Sequence, residues 1–260
     1  MKLWIDGIQV ESTPQQAKLF DPSSGESFGV FETLRTYGGR IFRPDQHLAR
    51  LEHSAKLLSF TLPLPQEKIA EFLEESVRES LNPAQTMDLR LKCVATAEHI
   101  LIQIIPLVVD PTIYEGVSAV SFPMNRSEPE AKALPYKASF EAHEFAEKHG
   151  AYEAILVDEE GFITEGAYSN IFWVKGGEIY TREEGVLKGI TRATILELFP
   201  VQFQKITLEE LKKADEIFLT KTTTGPVSVV RVDKTTIGSH KPGPQTQKVR
   251  ASFRELAESA

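Results

Sequence analysis

The sequence predicts a mixed α/β protein of two domains, and three observations carry that expectation. At 260 residues the chain exceeds one average domain. Segments with the two-residue apolar alternation of strands give way repeatedly to segments with helical spacing. Periodicity lapses between Pro106 and Gly116, around Asp110-Pro111. The expected division is a smaller N-terminal α/β domain over 1–106, a linker over 107–115 and a larger C-terminal α/β domain over 116–260.

Taken in order, MKLWIDGIQV reads as a strand and turn. Phe28 to Thr36 (FGVFETLRT) is β-rich, and Tyr37-Gly38-Gly39-Arg40 is a hairpin turn. From Pro44 onward Leu48, Leu51, Ala55 and Leu58 fall on one helical stripe. A second helix is expected from Pro65 to Ser80, stopped by Asn82-Pro83. MDLRLKCVAT and HILIQIIPL are strands. Beyond the linker come the strand GVSAVSF, an irregular stretch from Pro123 to Pro135, and a helix from Ala138 to Lys148 closed by Gly150. Short strands ITEG and SNIFWV then feed a helix that begins at Gly189-Ile190-Thr191-Arg192. The remainder reads as a short helix near Leu208 to Lys213, strands EIFLTKT and VSVVRV, and a helix from Pro244 to Leu256.

Composition narrows the partners. A net charge of −8 without a lysine- or arginine-rich block argues against nucleic acid. An anionic substrate needs a local basic pocket against that overall field. Cys93 is the lone cysteine, which excludes an internal disulfide and, within the apolar LKCVA, reads as a packing residue. The six histidines (47, 53, 99, 143, 149 and 240) show no zinc spacing, so no metal is expected. With no secretory leader or membrane-spanning run in the sequence, a soluble, cytoplasmic protein is expected.

The chemistry concentrates between Tyr152 and Leu198. A glycine followed by a hydroxyl residue at a helix start offers backbone N–H groups and a positive dipole end, which suits a phosphate. Glu165, on a strand in the same block, needs a cationic partner. A phosphate and a protonated ring nitrogen are what pyridoxal 5′-phosphate presents. The block YEAILVDEEGFITEGAYSNIFWVKGGEIYTREEGVLKGITRATILEL closely resembles the signature of class IV aminotransferases, the fold-type IV pyridoxal phosphate enzymes. The resemblance extends from about Trp4 to about Val232. It implies a two-domain fold like that of D-amino acid aminotransferases, an active site in the cleft between the domains, and a homodimer acting on a small amino-bearing carboxylate.

Site residues follow from the resemblance by position. Lys132, in Pro129-Glu130-Ala131-Lys132 and 21 residues before Glu153, matches the lysine that carries the cofactor. Lys137 is the rival, five residues later. Glu165 matches the partner of the pyridine nitrogen. Arg50 in HLARL matches the arginine that grips the phosphate, where a guanidinium fork suits a dianion. Ile190 and Thr191 match the phosphate-binding helix start, and Thr222 matches a hydroxyl that closes the phosphate cup. Ser169 and Asn170 in YSN hold the loop beside the ring, although Asn170 also reads as purely structural.

For the reaction, the expectation leans toward a 4-amino-4-deoxychorismate lyase, which releases pyruvate and 4-aminobenzoate for folate biosynthesis. Thr33 and Lys92 stand where the lyase carries a threonine and a lysine, and the chain is as compact as the lyases. Thr33 is thereby expected to be catalytic, and Lys92 and Phe31 to meet the substrate. The alternative is a class IV amino-acid aminotransferase of the branched-chain or D-amino acid type. A non-catalytic pyridoxal phosphate-binding protein is the remote third. Departures from the family pattern fall at Asp21-Pro22-Ser23-Ser24 and after Lys92, where no Arg-Gly follows. Arg90, Arg126 and Lys137 stand as candidate anchors for a second substrate carboxylate.

Overall fold

The computed structural model describes residues 1–11, 13, 20, 28–81, 87–126 and 128–259. Asp21-Pro22-Ser23-Ser24 and the helix stop at Asn82-Pro83 lie outside the described residues. The chain divides into two compact units. One comprises Met1–Val108, Ala131–Lys137 and Ala257–Ala260, the other Val109–Glu130 and Ala138–Leu256. This differs from the division expected at 106 and 116, because the segment bearing Lys132 belongs to the first unit. There Ala133–Leu134 pairs with Gly29 and Val30, and the Phe31 N–H donates to the Lys132 carbonyl at 2.9 Å. A two-residue strand carries no alternation that a sequence can display.

The first unit is built on an antiparallel sheet in the order Ile8–Val10, Lys2–Ile5, Ile100–Pro106, Leu89–Ala95, Gly29–Tyr37, Arg40–Ile41, with Ala133–Leu134 beside Gly29–Tyr37. Alternation along the strands decides what each face carries. Val30, Leu34, Leu91 and Cys93 pack with Leu48, Leu51, Ile69 and Leu73 of the helices Pro44–Leu57 and Gln66–Ser80. Each such side chain contributes about 1.5–3 kcal/mol by leaving water. Phe31, Thr33 and Lys92 lie on the other face, with Thr33 directly opposite Lys92. The helix Pro44–Leu57 opens with proline in its first turn and Asp45 at its positive end. Its buried stripe nevertheless includes three polar side chains, His47, Arg50 and Ser54.

The second unit holds a nine-stranded mixed sheet. The order is Ile163–Gly166, Glu153–Val157, Val117–Pro123, Gly225–Val232, Glu216–Lys221, Asn170–Lys175, Glu178–Thr181 and Val201–Phe203, with Thr235–Thr236 beside Gly225–Val232. Val117–Pro123 runs parallel to both its neighbours. The link from it to Glu153–Val157 contains the helix Lys137–Lys148, whose Ala142 and Ala146 pack against Ala154 and Leu156. Phe172 and Phe218 stack across paired strands with centroids 4.8 Å apart. The Glu216 carboxylate accepts from the Gln245 and Thr246 N–H groups, capping the helix Pro244–Ser259. No helix among the described residues is long and apolar enough to cross a membrane.

Candidate active site

Lys132 is fixed by its backbone on both sides. Its N–H donates to Ser54 Oγ at 3.1 Å, and its carbonyl accepts from Phe31. Its Nζ lies 4.4 Å from the Phe31 ring centroid and 5.4 Å from that of Tyr136. The two rings meet edge to face at 5.4 Å, so they form an aromatic cradle around the amine. Lys92 Nζ sits 4.9 Å from the same Phe31 ring and donates to the Phe20 carbonyl. Lys132, Phe31, Lys92 and Thr33 are thus gathered on one face of the first unit. Lys137 is exposed at the start of its helix. Tyr136 escaped the sequence reading, since an aromatic four residues beyond a lysine forms no pattern by itself.

Arg50 has a partner that the sequence did not disclose. Its Nε and Nη2 donate to the two oxygens of Glu32, each at 2.7 Å, and His47 Nδ1 lies 2.7 Å from Oε2. Glu32 is fully buried, and Arg50 and His47 are nearly so. Burial pushes the Glu32 carboxyl up, but the charge and hydrogen bonds of Arg50, with the hydrogen bond from His47, outweigh it and hold the group at about 2. Burial pushes His47 below its ordinary value against the pull of Glu32. A neutral His47 that donates through Nδ1 leaves Nε2 as an acceptor, and that atom is buried without a hydrogen-bond partner. Two of the three guanidinium nitrogens of Arg50 are therefore engaged by Glu32.

In the second unit, three segments converge on Glu165, which is 3% exposed. Asn170 Nδ2 donates to its Oε2 at 3.1 Å, the Leu187 N–H donates to the same oxygen at 3.0 Å, and Arg126 Nη1 pairs with Oε1. Arg126, a candidate substrate anchor in the sequence, thus pairs with this glutamate. Arg90 lies opposite Arg35 in the first unit's sheet. Asn170 Nδ2 also donates to the Leu187 carbonyl at 2.8 Å, while its Oδ1 packs so closely on Gly189 that a Cβ there would lie 2.1 Å away. Gly189 is the N-cap of the helix Ile190–Leu198, whose Ile190 and Thr191 are buried. Asn170 is therefore more than a loop support, because it ties Glu165 to the helix start.

The hydroxyls of the cup fall at the same end of the sheet. Asn170 begins its strand opposite Thr220, near the end of Glu216–Lys221, and Thr222 lies in the turn that follows. Thr220 Oγ1 is buried without a hydrogen-bond partner. Ser169, one residue before Asn170, donates to Glu153 at 3.0 Å. Unsatisfied first-turn amides, hydroxyls and a carboxylate at one sheet end suit a group with a phosphate at one end and a protonated ring nitrogen at the other. Among the described residues no cluster of His, Cys, Asp or Glu is arranged to hold a metal ion.

This arrangement defines the class as a pyridoxal phosphate enzyme fold. The family described as amino-transferase class IV matches residues 29–232, and the chain belongs to it. Among similar proteins, the D-alanine aminotransferase of Bacillus licheniformis is 30% identical over 100% of this chain and 99% of its own length. The branched-chain-amino-acid aminotransferase of Pseudomonas aeruginosa is 31% identical over 98% of this chain and 92% of its own. The solved structure of a branched-chain aminotransferase from Thermoproteus uzoniensis with norvaline superposes with a TM-score of 0.85 at 30% identity, covering 100% and 95% of the two chains. That of the T.th. branched-chain amino acid aminotransferase contains pyridoxamine 5′-phosphate and gives 0.84 at 27%, covering 99% and 94%. Membership brings pyridoxal 5′-phosphate as the cofactor. These relatives favour the aminotransferase reading over the expected lyase.

Proposed function

We propose that this protein is an amino-acid aminotransferase of the branched-chain or D-amino acid type, exchanging an amino group between an amino acid and a 2-oxo acid. The observation that carries the reading is the convergence of Asn170, Leu187 and Arg126 on Glu165 beside a helix start suited to phosphate. Bound pyridoxal phosphate supplies an electron-withdrawing ring that acidifies the Cα–H of an attached amino acid. Lys132 would hold the cofactor, and its Nζ would be the group on this chain that takes up the substrate's Cα proton and gives it back. Glu165 keeps the ring nitrogen protonated. The amides of Ile190 and Thr191 and the Thr222 hydroxyl hold the phosphate, and Phe31 borders the substrate. The proposed assembly is a homodimer.

Of the three features behind the lyase reading, Thr33, Lys92 and the compact chain, Lys92 is weakened as a receptor for a substrate carboxylate, since its bond to the Phe20 carbonyl favours a supporting role. A paired assay tests the choice. L-leucine or D-alanine with 2-oxoglutarate is expected to yield the corresponding oxo acid, and aminodeoxychorismate is expected to yield no 4-aminobenzoate. Steady release of 4-aminobenzoate without amino transfer would reverse the conclusion. Borohydride reduction followed by peptide mapping is expected to label Lys132, and a label on Lys137 would move the attachment point.

A further inference from the structure

Glu153 takes no part in the chemistry above, yet it is a fully buried carboxylate at the start of the strand Glu153–Val157. Burial pushes its pKa up. The neighbouring His143 ring, the Lys221 charge and the Ser169 hydroxyl pull harder, so the group stays below its ordinary value. Burying a carboxylate costs several kcal/mol unless charges and hydrogen bonds offset it, so what this one holds is informative. Ser169 Oγ donates to Glu153 Oε2 at 3.0 Å, the Ala154 N–H donates to Oε1 at 3.1 Å, and His143 Nδ1 stands 3.6 Å from Oε1. The His143 ring in turn packs on Tyr168 at 4.7 Å.

Glycine at 166 makes this arrangement possible. A Cβ there would lie 2.1 Å from Ser169 Oγ and 3.1 Å from Glu153 Cγ, and the Gly166 N–H donates to the Ser169 carbonyl at 2.7 Å. Ser169 is therefore pinned through both its side chain and its backbone. The next residue is Asn170, which reaches Glu165 on one side and the Leu187–Gly189 turn on the other.

We propose that Glu153 is a positioning residue: by holding Ser169 it fixes Asn170, and Asn170 sets both Glu165 and the start of the helix Ile190–Leu198 for the cofactor. The inference rests on the reading of Glu165 as the partner of the cofactor's ring nitrogen. The chain of contacts runs from a carboxylate outside the chemistry, through one hydroxyl and one amide, to the two groups that meet the ring and the phosphate.

The test is equilibrium binding of pyridoxal 5′-phosphate to the apoprotein, with the visible absorption of the bound form and the melting temperature of each variant. Glu153→Ala and Ser169→Ala are each expected to weaken binding by about tenfold, the effect of one buried hydrogen bond. The double variant is expected to be no weaker than the worse single one, because the two act in series. Glu153→Gln keeps an acceptor for Ser169 and is expected to bind within about twofold of the wild type. If Glu153→Ala does not fold, Glu153→Leu, which fills the same space without an acceptor, takes its place in the cycle with Ser169→Ala.

Wild-type affinity and absorption in folded Ser169→Ala, or additive losses in the double variant, would overturn the inference. Glu165→Gln separates this from the parent reading. If it changes neither absorption nor binding, the assignment of Glu165 fails and the inference with it. If it changes them while Ser169→Ala does not, only the inference fails.

Discussion

Glu32 in the first unit and Glu165 in the second are both buried carboxylates with an arginine on them, and they are used in opposite ways. The partners of Glu32, His47 and Arg50, come from one turn of the helix Pro44–Leu57. Glu32 alternates with Val30 and Leu34, two members of the apolar core, on one strand. The partners of Glu165 come from three separate segments, at Arg126, Asn170 and Leu187. In the first case the carboxylate orients its arginine, by holding two of the three guanidinium nitrogens. In the second the surroundings orient the carboxylate, at a sheet end where a helix start and several hydroxyls are also presented. A buried glutamate is thus read by where its partners originate as much as by what they are.

The largest expected effect separates the two. Glu32→Ala leaves the Arg50 charge uncompensated in the core, and breaking a buried pair in this way costs about 3–5 kcal/mol. Urea unfolding of that variant is expected to show a midpoint displaced accordingly, with Glu32→Gln displaced less. Glu165→Gln retains the shape of the side chain, so its midpoint is expected to move less than that of Glu32→Ala. Its amino-transfer rate is expected to fall by about 10²-fold, as on loss of one preorganised electrostatic contact. A variant at Glu165 that matched Glu32→Ala in lost stability and kept its rate would erase the distinction.

The sequence displayed one side of this comparison better than the other. The Glu165 block is continuous from Tyr152 to Leu198, so its strand, glycine and helix start could be read together. Helices at Pro44 and Ile190 begin where proline and glycine punctuate the pattern. The Glu32 triad was hidden because Arg50 matched a phosphate-gripping position, and nothing local shows that a glutamate 18 residues earlier reaches it. Residues 131–137 group with the first unit, and a two-residue strand has no period by which a sequence could show it. Arg126 reaches Glu165 across 39 residues, a contact that strand pairing creates and spacing does not encode.

The smallest expected effect is the one in acid, and its direction follows from the groups themselves. Glu32 titrates at about 2 in the folded protein against an ordinary value of 4.5, so its contribution is complete above 4.5 and is lost as pH falls from there toward 2. His47 is held below 6.5, so its contribution is complete above 6.5 and is lost as pH falls through its lower folded value. Both act in the same sense and both belong to the first unit. Glu153, in the second, is also held below 4.5 and adds its loss only under more acidic conditions. The first unit is therefore expected to weaken at higher pH than the second. The protein's two tryptophans report on this separately, since Trp4 is buried in one unit and Trp173 in the other. In the single-tryptophan variants Trp173→Phe and Trp4→Phe, the stability reported by Trp4 is expected to decline first between pH 6.5 and 4.5. His47→Asn in the Trp173→Phe background is expected to flatten that decline, while the loss due to Glu32 below 4.5 remains. Coincident decline of the two signals, unchanged by His47→Asn, would mean that the buried imidazole contributes nothing to the acid response and that the carboxylates alone set it.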